Sequence, residues 1–263
     1  MNAKMKRLFL CFLSAIAPNC RSESTIPAVS ERSVRYVHLS FAFSEKSAWS
    51  GEEDFNVCGL SAGIGFDLVP GRMAGLQLAG LVAAADHFQG IQTSLLMPLA
   101  KRGEGLQLSP VCSWTQERFT GLQLAGIGNV ASGVGVQAAL GFNASDDVIN
   151  IGSTYLNNGR ESKWSGLQLA GISNQACYLD GVQLSLCYNY AVRCRGLQVA
   201  LRNDTEALHG VQIGLINTAR TGAGIQIGLM NATRDGTGIQ IGLINSFGTS
   251  EDGLVLPLIN ARF

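Results

Sequence analysis

The sequence has little charge and little histidine. Charged residues make up 14% of its 263 residues and the formal net charge is zero, so no basic surface is expected that would attract DNA or RNA. Of the three histidines, His38, His87 and His209, none has a carboxylate or cysteine at the spacing of a metal site. Asp86 next to His87 is typical of a solvated turn. The composition therefore argues against a nucleic-acid partner and indicates no metal or other cofactor.

Signatures of catalysis are missing as well. No Gly-Lys-Ser or Gly-Lys-Thr occurs in the glycine-rich stretches, which excludes a phosphate-binding loop. The stretch Gly152-Ser153-Thr154 does not complete the Gly-X-Ser-X-Gly elbow of serine hydrolases. We therefore expect a protein that is not an enzyme.

Glycine, in contrast, is abundant, with 32 residues. Much of it belongs to one phrase, Gly-aliphatic-Gln-Ile-Gly-Leu-X-Asn, which starts at Gly210, Gly224 and Gly238. Looser copies start at Gly75, Gly90, Gly105, Gly121, Gly135, Gly166, Gly181, Gly196 and Gly253. Neighbouring copies lie 14 to 16 residues apart, except for one gap of 31 after Gly135, where residues 148–152 are interpreted as a worn copy. This regularity predicts a repeat architecture.

Inside each copy the side chains alternate with a period of two. In the copy at Gly224, Ile225 and Ile227 point one way and Gln226 points the other. The residues between copies are rich in Gly, Thr, Ser and Asp, which is turn chemistry. Each unit is therefore predicted to be a strand of about ten residues and a turn of about five. Asparagines near the strand ends are predicted to occupy left-handed turn positions: Asn217, Asn231, Asn245 and Asn260.

The domain organisation is simple. Two further strands are predicted at residues 35–43 and 58–66, and the whole of 33–263 forms one all-β domain of about fifteen short strands. Residues 1–17 have the charges, the short apolar run and the small residues of a secretory signal peptide, and 18–32 are predicted to be a flexible segment. Removal of the signal peptide, residues 1–17, leaves six cysteines, and export would allow them to form disulfides: Cys20, Cys58, Cys112, Cys177, Cys187 and Cys194.

One way to close such a sheet is an up-and-down barrel, in which the last strand pairs with the first and no edge remains. Amphipathic strands of about ten residues can cross a bilayer. The terminal Phe263, on one face with Val255 and Ile259, resembles the assembly signal of bacterial outer-membrane barrels. The sequence is interpreted as this barrel, with outer-membrane lipid and the barrel-assembly machinery as partners.

The alternative is a parallel β-solenoid, in which repeats stack and equivalent residues form ladders. The Gly and Asn positions are shared by odd and even copies alike, whereas the two rims of a membrane barrel usually differ, and aromatics are only 7%. A disulfide between Cys177 and Cys194 would decide against the barrel. In a meander these residues would lie at opposite ends of one strand, roughly 25 Å apart.

The glutamines form the most uniform column of the repeat: Gln77, Gln92, Gln107, Gln123, Gln137, Gln168, Gln183, Gln198, Gln212, Gln226 and Gln240. A functional interpretation makes them the polar lining of a lumen or a binding face for sugars or peptides. A structural interpretation is that each amide bonds to its neighbours and holds the repeats in register. The second is favoured, because ligand recognition would require more variation.

The tandem phrase Gly-[Leu/Ile/Val]-Gln-[Leu/Ile]-Gly-Leu-[Ile/Met]-Asn resembles the bacterial surface-repeat proteins described from leptospires. The likeness covers nearly all of residues 59–263 and is weakest near Ser109-Pro110 and Ile149. It implies export and the cell envelope but brings no activity and no functional residue. The resulting expectation is a non-enzymatic exported protein of the bacterial outer membrane or cell surface. It is either a structural or pore-like barrel, or a secreted or surface-attached solenoid that binds a protein or glycan.

Overall fold

The computed structural model describes residues 33–41, 55–145, 163–248 and 254–263. The predicted signal peptide, the segment 18–32 and residues 42–54 lie outside these ranges. Sixteen strands make up one sheet. They are β1 (Ser33–Ser40), β2 (Phe55–Gly63), β3 (Phe66–Ala79), β4 (Val82–Ser94), β5 (Met97–Ser109), β6 (Cys112–Ala125), β7 (Gly128–Val130), β8 (Gly133–Ala139), β9 (Phe142–Ala144), β10 (Lys163–Ala170), β11 (Ser173–Ser185), β12 (Tyr188–Val199), β13 (Arg202–Ile213), β14 (Ile216–Ile227), β15 (Met230–Phe247) and β16 (Leu254–Arg262).

The fold is a parallel β-solenoid. Each strand from β1 to β15 pairs in parallel with the equivalent strand of the neighbouring repeat, so that identical residues of the phrase stack. Gln198, for example, pairs with Gln183 before it and Gln212 after it. One strand and its short turn thus make one coil of the solenoid. The prediction of an all-β tandem repeat is confirmed.

The barrel interpretation is wrong. A meander needs antiparallel neighbours, whereas the only antiparallel pair among the described strands is β15 with β16. The hydrogen-bonded order begins at β1 and ends at β16, and these two strands do not pair with each other. The two-residue connections, such as Gly214 and Leu215 between β13 and β14, would suit hairpins equally well. The physical reason is the repeat itself, because parallel in-register stacking places each glutamine on the next one, as Gln183, Gln198 and Gln212 show.

Glycine provides the second corner of each coil and explains why the strands are longer than predicted. In most coils the phrase-initial glycine lies inside a strand of 12 to 14 residues, as Gly196 does in β12. Gly196 has φ +143°, a conformation that L side chains rarely adopt. A Cβ there would also overlap the carbonyl oxygen of Gly181 in the coil below. The backbone bends at this glycine without leaving the hydrogen-bonded sheet.

The gap of 31 residues after Gly135 is an insertion and not a worn copy. Gly135 pairs directly with Gly166, and Gln137 with Gln168, so no coil comes between β8 and β10. Strands β9 and β10 are two parts of one coil, and residues 146–162 come between them in the sequence. The segment 148–152, which was interpreted as a repeat, lies outside the described residues.

The core is a column of apolar side chains just inside the glycine corner. In the middle of the stack Trp164, Leu179, Cys194 and Leu208 lie over one another and are at most 3% exposed. Further up the column, Phe88 and Phe119 flank Gly103, where a Cβ would press on both rings. Large and small residues thus alternate to fill one narrow space, as close packing requires.

The last strand closes the stack. β16 runs antiparallel to β15, so the next position on the solenoid axis is occupied by a strand of opposite direction. Asn260 still donates from its side chain to the backbone oxygen of Asn245, at 3.3 Å. An exposed parallel edge would be a template for another coil. We interpret β16 as the cap of this end.

Candidate functional site

The glutamine column forms a continuous ladder inside the solenoid. All eleven side chains are at most 1% exposed. Ten successive hydrogen bonds join them, each from the Nε2 of one glutamine to the Oε1 of the glutamine one coil earlier, at 2.6–2.9 Å. Because these amides are buried and bonded to each other, they do not line a lumen or an outer binding face.

Asparagines form a second internal ladder, and the turn role predicted for Asn217, Asn231, Asn245 and Asn260 is wrong. These four residues lie within strands, are at most 2% exposed, and do not have positive φ. The ladder comprises Asn129, Asn143, Asn174, Asn189, Asn203, Asn217, Asn231 and Asn245, with side-chain bonds of 2.8–3.1 Å. Most of these amides also donate to a backbone carbonyl, as Asn189 does to Val199 at 2.9 Å.

The outward side of the phrase carries the surface that is open to a partner. Since the glutamines point inward, the residues on either side of them point outward. We define the apolar face as these two columns together with the turn that follows them. The column before the glutamines is aliphatic throughout: Leu60, Leu76, Ile91, Leu106, Leu122, Val136, Leu167, Val182, Leu197, Val211, Ile225 and Ile239.

The turn side of the apolar face is almost free of charge. In each coil, a short segment leads from the residue after the glutamine position, through the turn, to the residue before the asparagine position. The twelve segments together contain one charged side chain, Arg202. Nineteen large aliphatic side chains in these segments are at least 36% exposed, led by Leu140 at 79% and Leu186 at 72%. Their exposed fractions add up to about nine fully exposed aliphatic side chains. At ~60–120 Å² of apolar surface for each, this corresponds to roughly 600–1,100 Å². A monomer's largest apolar patch is usually about 300–600 Å².

Two grooves run along this face. One of about 570 Å³ has Ala125, Ala139 and Ala170 on its floor, with Leu140 and Leu186 among its walls. The other, of about 550 Å³, is lined by Ala79, Gly80 and Ile64 near the first coils. Both linings are uncharged. The relief of the face is therefore shallow ridges of leucine and isoleucine beside floors of small residues.

The charges lie on the other side of the glycine corner. Ion pairs join Lys101 to Asp86 at 2.9 Å and Arg220 to Glu206 at 3.0 Å. Two more join Arg102 to Glu117 and Lys163 to Asp180. Each of them is at least partly exposed, so each contributes little to stability. Their position shows that the solenoid has one charged side and one uncharged side.

A buried polar cluster stands at the N-terminal end of the stack. His38 and Ser61 occupy the glutamine column in the first two coils, and Asp67 occupies the asparagine column. Ser61 donates to Asp67 Oδ1 at 2.9 Å, and His38 Nε2 lies 3.7 Å from the same oxygen. Burial raises the pKa of Asp67, and the bonds from Ser61 and Gln77 and the charge of His38 oppose that rise.

This cluster has the residue types of a serine hydrolase but not the arrangement. A catalytic serine must give its proton to the histidine, whereas Ser61 donates to the carboxylate. Ser61 and Asp67 are also fully buried, out of reach of a substrate. The sequence offered no signal for this grouping, because His38, Ser61 and Asp67 become neighbours only through the parallel register.

The other candidate residues are dispersed. His87 pairs with Arg72 and Arg102 in register, and His209 Nδ1 lies 2.8 Å from the Leu208 carbonyl. In the described part of the chain no three His, Cys, Asp or Glu residues come together as a metal site would require.

Cys177 and Cys194 lie in neighbouring strands rather than in connections. Phe263 follows β16 and is 99% exposed.

No helix within the described ranges has the length and apolar character to cross a membrane. Comparison with models of known protein families, with curated proteins and with solved structures finds no match to this chain.

Proposed function

We propose that this chain is a non-catalytic, surface-attached binding solenoid that is exported to the bacterial cell envelope and holds a protein partner on its apolar face. The observation that carries this proposal is the uncharged aliphatic side of the stack, which exceeds the largest apolar patch of an ordinary monomer. Large exposed patches of this kind mark interaction sites. The ladders inside join each coil to the next in register, so the face repeats evenly along the stack.

A protein partner fits the face better than a glycan does. Sugars are recognised through hydrogen-bonding groups and aromatic rings, whereas the columns that flank the glutamines are mainly aliphatic. The polar groups that could serve a sugar, the glutamine amides, are buried in their ladder. Export is supported by the signal-like residues 1–17, and the cell envelope by the resemblance to surface-repeat proteins.

Fractionation of the producing cells tests this function. The wild-type chain is expected in the cell-envelope pellet, released by washes that disrupt apolar contacts. A variant with Leu140→Lys and Leu186→Lys places two charges on the apolar face at its two most exposed leucines, and is expected to move to the soluble fraction. The matched control, Ala223→Lys with Ala232→Lys, adds the same charge at two exposed alanines away from the face. Equal retention of all three proteins would contradict the proposal.

A further inference from the structure

We infer that the apolar face is covered by the same face of a second copy of this chain, so that the working form is a face-to-face homodimer. This inference rests on the proposed function, because it names the partner of the same surface. Three properties of the face single out a second copy: its spacing, its area and the composition of its margins.

The spacing of the face is that of stacked strands. Equivalent side chains repeat once per coil along the axis, so the ridges recur at the strand separation of about 4.8 Å. Residues such as Ile213, Ile227 and Ile241 are in direct register over successive coils. For ridges to fit between ridges over the whole length, the partner surface needs the same period. A second copy provides it in either orientation along the axis.

The area of the face is that of a stable interface. Twelve coils at about 4.8 Å give a length of roughly 50 Å, and four residues at about 3.3 Å give a width of roughly 13 Å. The product, about 700 Å², is close to the ~800 Å² that each partner contributes to a standard protein interface. Sheets that pack face to face lie ~10 Å apart with interdigitated side chains. This distance suits the leucine and isoleucine ridges of two copies.

The margins of the face do not suit a lipid surface. Helices and faces that lie on membranes usually have cationic residues and aromatic rings beside the apolar side chains. Beyond the glycine corner, the outward column contains Glu104, Asp180 and Arg195, which have mixed signs. On the turn side the one charge is Arg202, which is paired with Asp204 at 2.8 Å. Two apolar faces that pack against each other do not need cationic residues or aromatic rings at their edges.

A two-fold axis would also explain why association stops. In an isologous dimer the same patch is used on both copies and is then fully covered. The charged side of each solenoid would remain outside, and no apolar face would be left open for a third copy. A chain that used the face in a head-to-tail manner would instead leave one face open and continue to grow.

The test is the mass of the purified mature chain by size-exclusion chromatography with light scattering. The expected result is twice the monomer mass for the wild type and for the Ala223→Lys, Ala232→Lys control. Leu140→Lys with Leu186→Lys buries unpaired charges in both copies, so its dissociation constant is expected to rise at least ~100-fold. Far-UV circular dichroism of the variant must retain the strand signal, which separates loss of pairing from loss of folding.

Cys187 gives an independent readout, because its exposed thiol lies in a turn of the apolar face. Its maleimide labelling is expected to be at least ~10-fold slower in the wild type than in a monomeric Leu140→Lys variant, which leaves the residues beside the thiol unchanged, since a covered thiol must await opening of the dimer. Labelling at equal rates would overturn the inference, as would a wild type that is monomeric at micromolar concentration or a dimer that only the control substitutions disrupt.

The failure of this inference is distinguishable from failure of the proposed function. A monomeric wild type that still needs Leu140 and Leu186 for retention in the envelope would overturn the homodimer and leave a different protein partner. A monomeric wild type whose retention does not depend on these leucines would overturn both. Flotation of the monomer with phosphatidylcholine vesicles, lost in the lysine variant, would reject the second copy in favour of lipid. Species larger than a dimer would reject the closed two-fold arrangement.

Discussion

Removal of one amide from the middle of the glutamine ladder should be among the most destabilising changes in the chain. Gln183 donates to Gln168 Oε1 and accepts from Gln198 Nε2, both at 2.8 Å. Gln183→Met keeps the length of the side chain and removes both bonds. The acceptor on Gln168 and the donor on Gln198 would remain fully buried. Each buried group without a partner costs about 1–3 kcal/mol, so the free energy of unfolding should fall by about 2–6 kcal/mol.

The matched control is the same substitution at the end of the ladder. Gln240 Oε1 has no hydrogen-bond partner among the described residues, so its removal leaves no donor unpaired. Its Nε2 donates to the partly buried Ser246 carbonyl at 3.0 Å, to Thr233 Oγ1 at 3.3 Å and to Gln226 Oε1. That oxygen also accepts from Thr233 at 3.0 Å and would keep this bond. Gln240→Met should therefore cost about 1 kcal/mol or less. Urea unfolding followed by far-UV circular dichroism measures the free energy of unfolding of both variants. If the losses for Gln183→Met and Gln240→Met agreed within about 0.5 kcal/mol, which is roughly the error of such fits, the ladder would be refuted as a source of stability.

Three further predictions concern other parts of the fold. Gly196→Ala should lower the free energy of unfolding by more than ~2 kcal/mol, because of its φ of +143° and the overlap with the Gly181 carbonyl. Gly103→Ala, where two phenylalanine rings would have to shift, should cost less. Equal losses for the two variants in urea unfolding would contradict the corner role of Gly196. Because burial raises the pKa of Asp67, its contribution to stability is present at low pH and is lost as the pH rises through that raised value. Asp67→Asn should remove this pH dependence and raise the free energy of unfolding at neutral pH, whereas parallel pH profiles of the two proteins would refute it. Burial raises the pKa of Cys194 to about 12, so maleimide at neutral pH should label the exposed Cys58 at least ~100-fold faster than Cys194, as peptide mapping of labelled protein would show.

The internal pattern of the phrase was predictable because alternation has one physical reading. Aliphatic residues beside an invariant Gln require a strand with two different sides, and the period of 14 to 16 residues requires many of them. The barrel and the solenoid both place Gln226 inside and Ile225 outside, so alternation does not distinguish them. What distinguishes them is the backbone at glycine. Gly196 looks like a strand start in the sequence and proves to be a corner within a strand, since only its φ reveals the bend.

The asparagines and the insertion show a second limit. Asn217 suits a left-handed turn when it is considered alone, but stacked asparagines can also satisfy one another inside a coil. The choice depends on neighbours one repeat away, which local propensity does not include. Likewise the segment 148–152 was assigned to the stack by spacing, while the direct pairing of Gln137 with Gln168 excludes a coil there. The aliphatic residues of the apolar face are evident in the sequence, but only the fold shows that they point outward.

The two ladders also have electrical polarity. Along the glutamine ladder every N–H points toward the first coils, from Gln240 to Gln77, whereas along the asparagine ladder every side-chain N–H points toward the last coils. Where both ladders are present, their amide dipoles oppose each other along the axis. Before Asn129 the second ladder is replaced by Ala83, Pro98 and Ser113, so the glutamine dipole is not balanced. Its positive end is the amide of Gln77, which donates to the backbone oxygen of Asp67, and the field of the column therefore favours an acidic residue at that end of the solenoid.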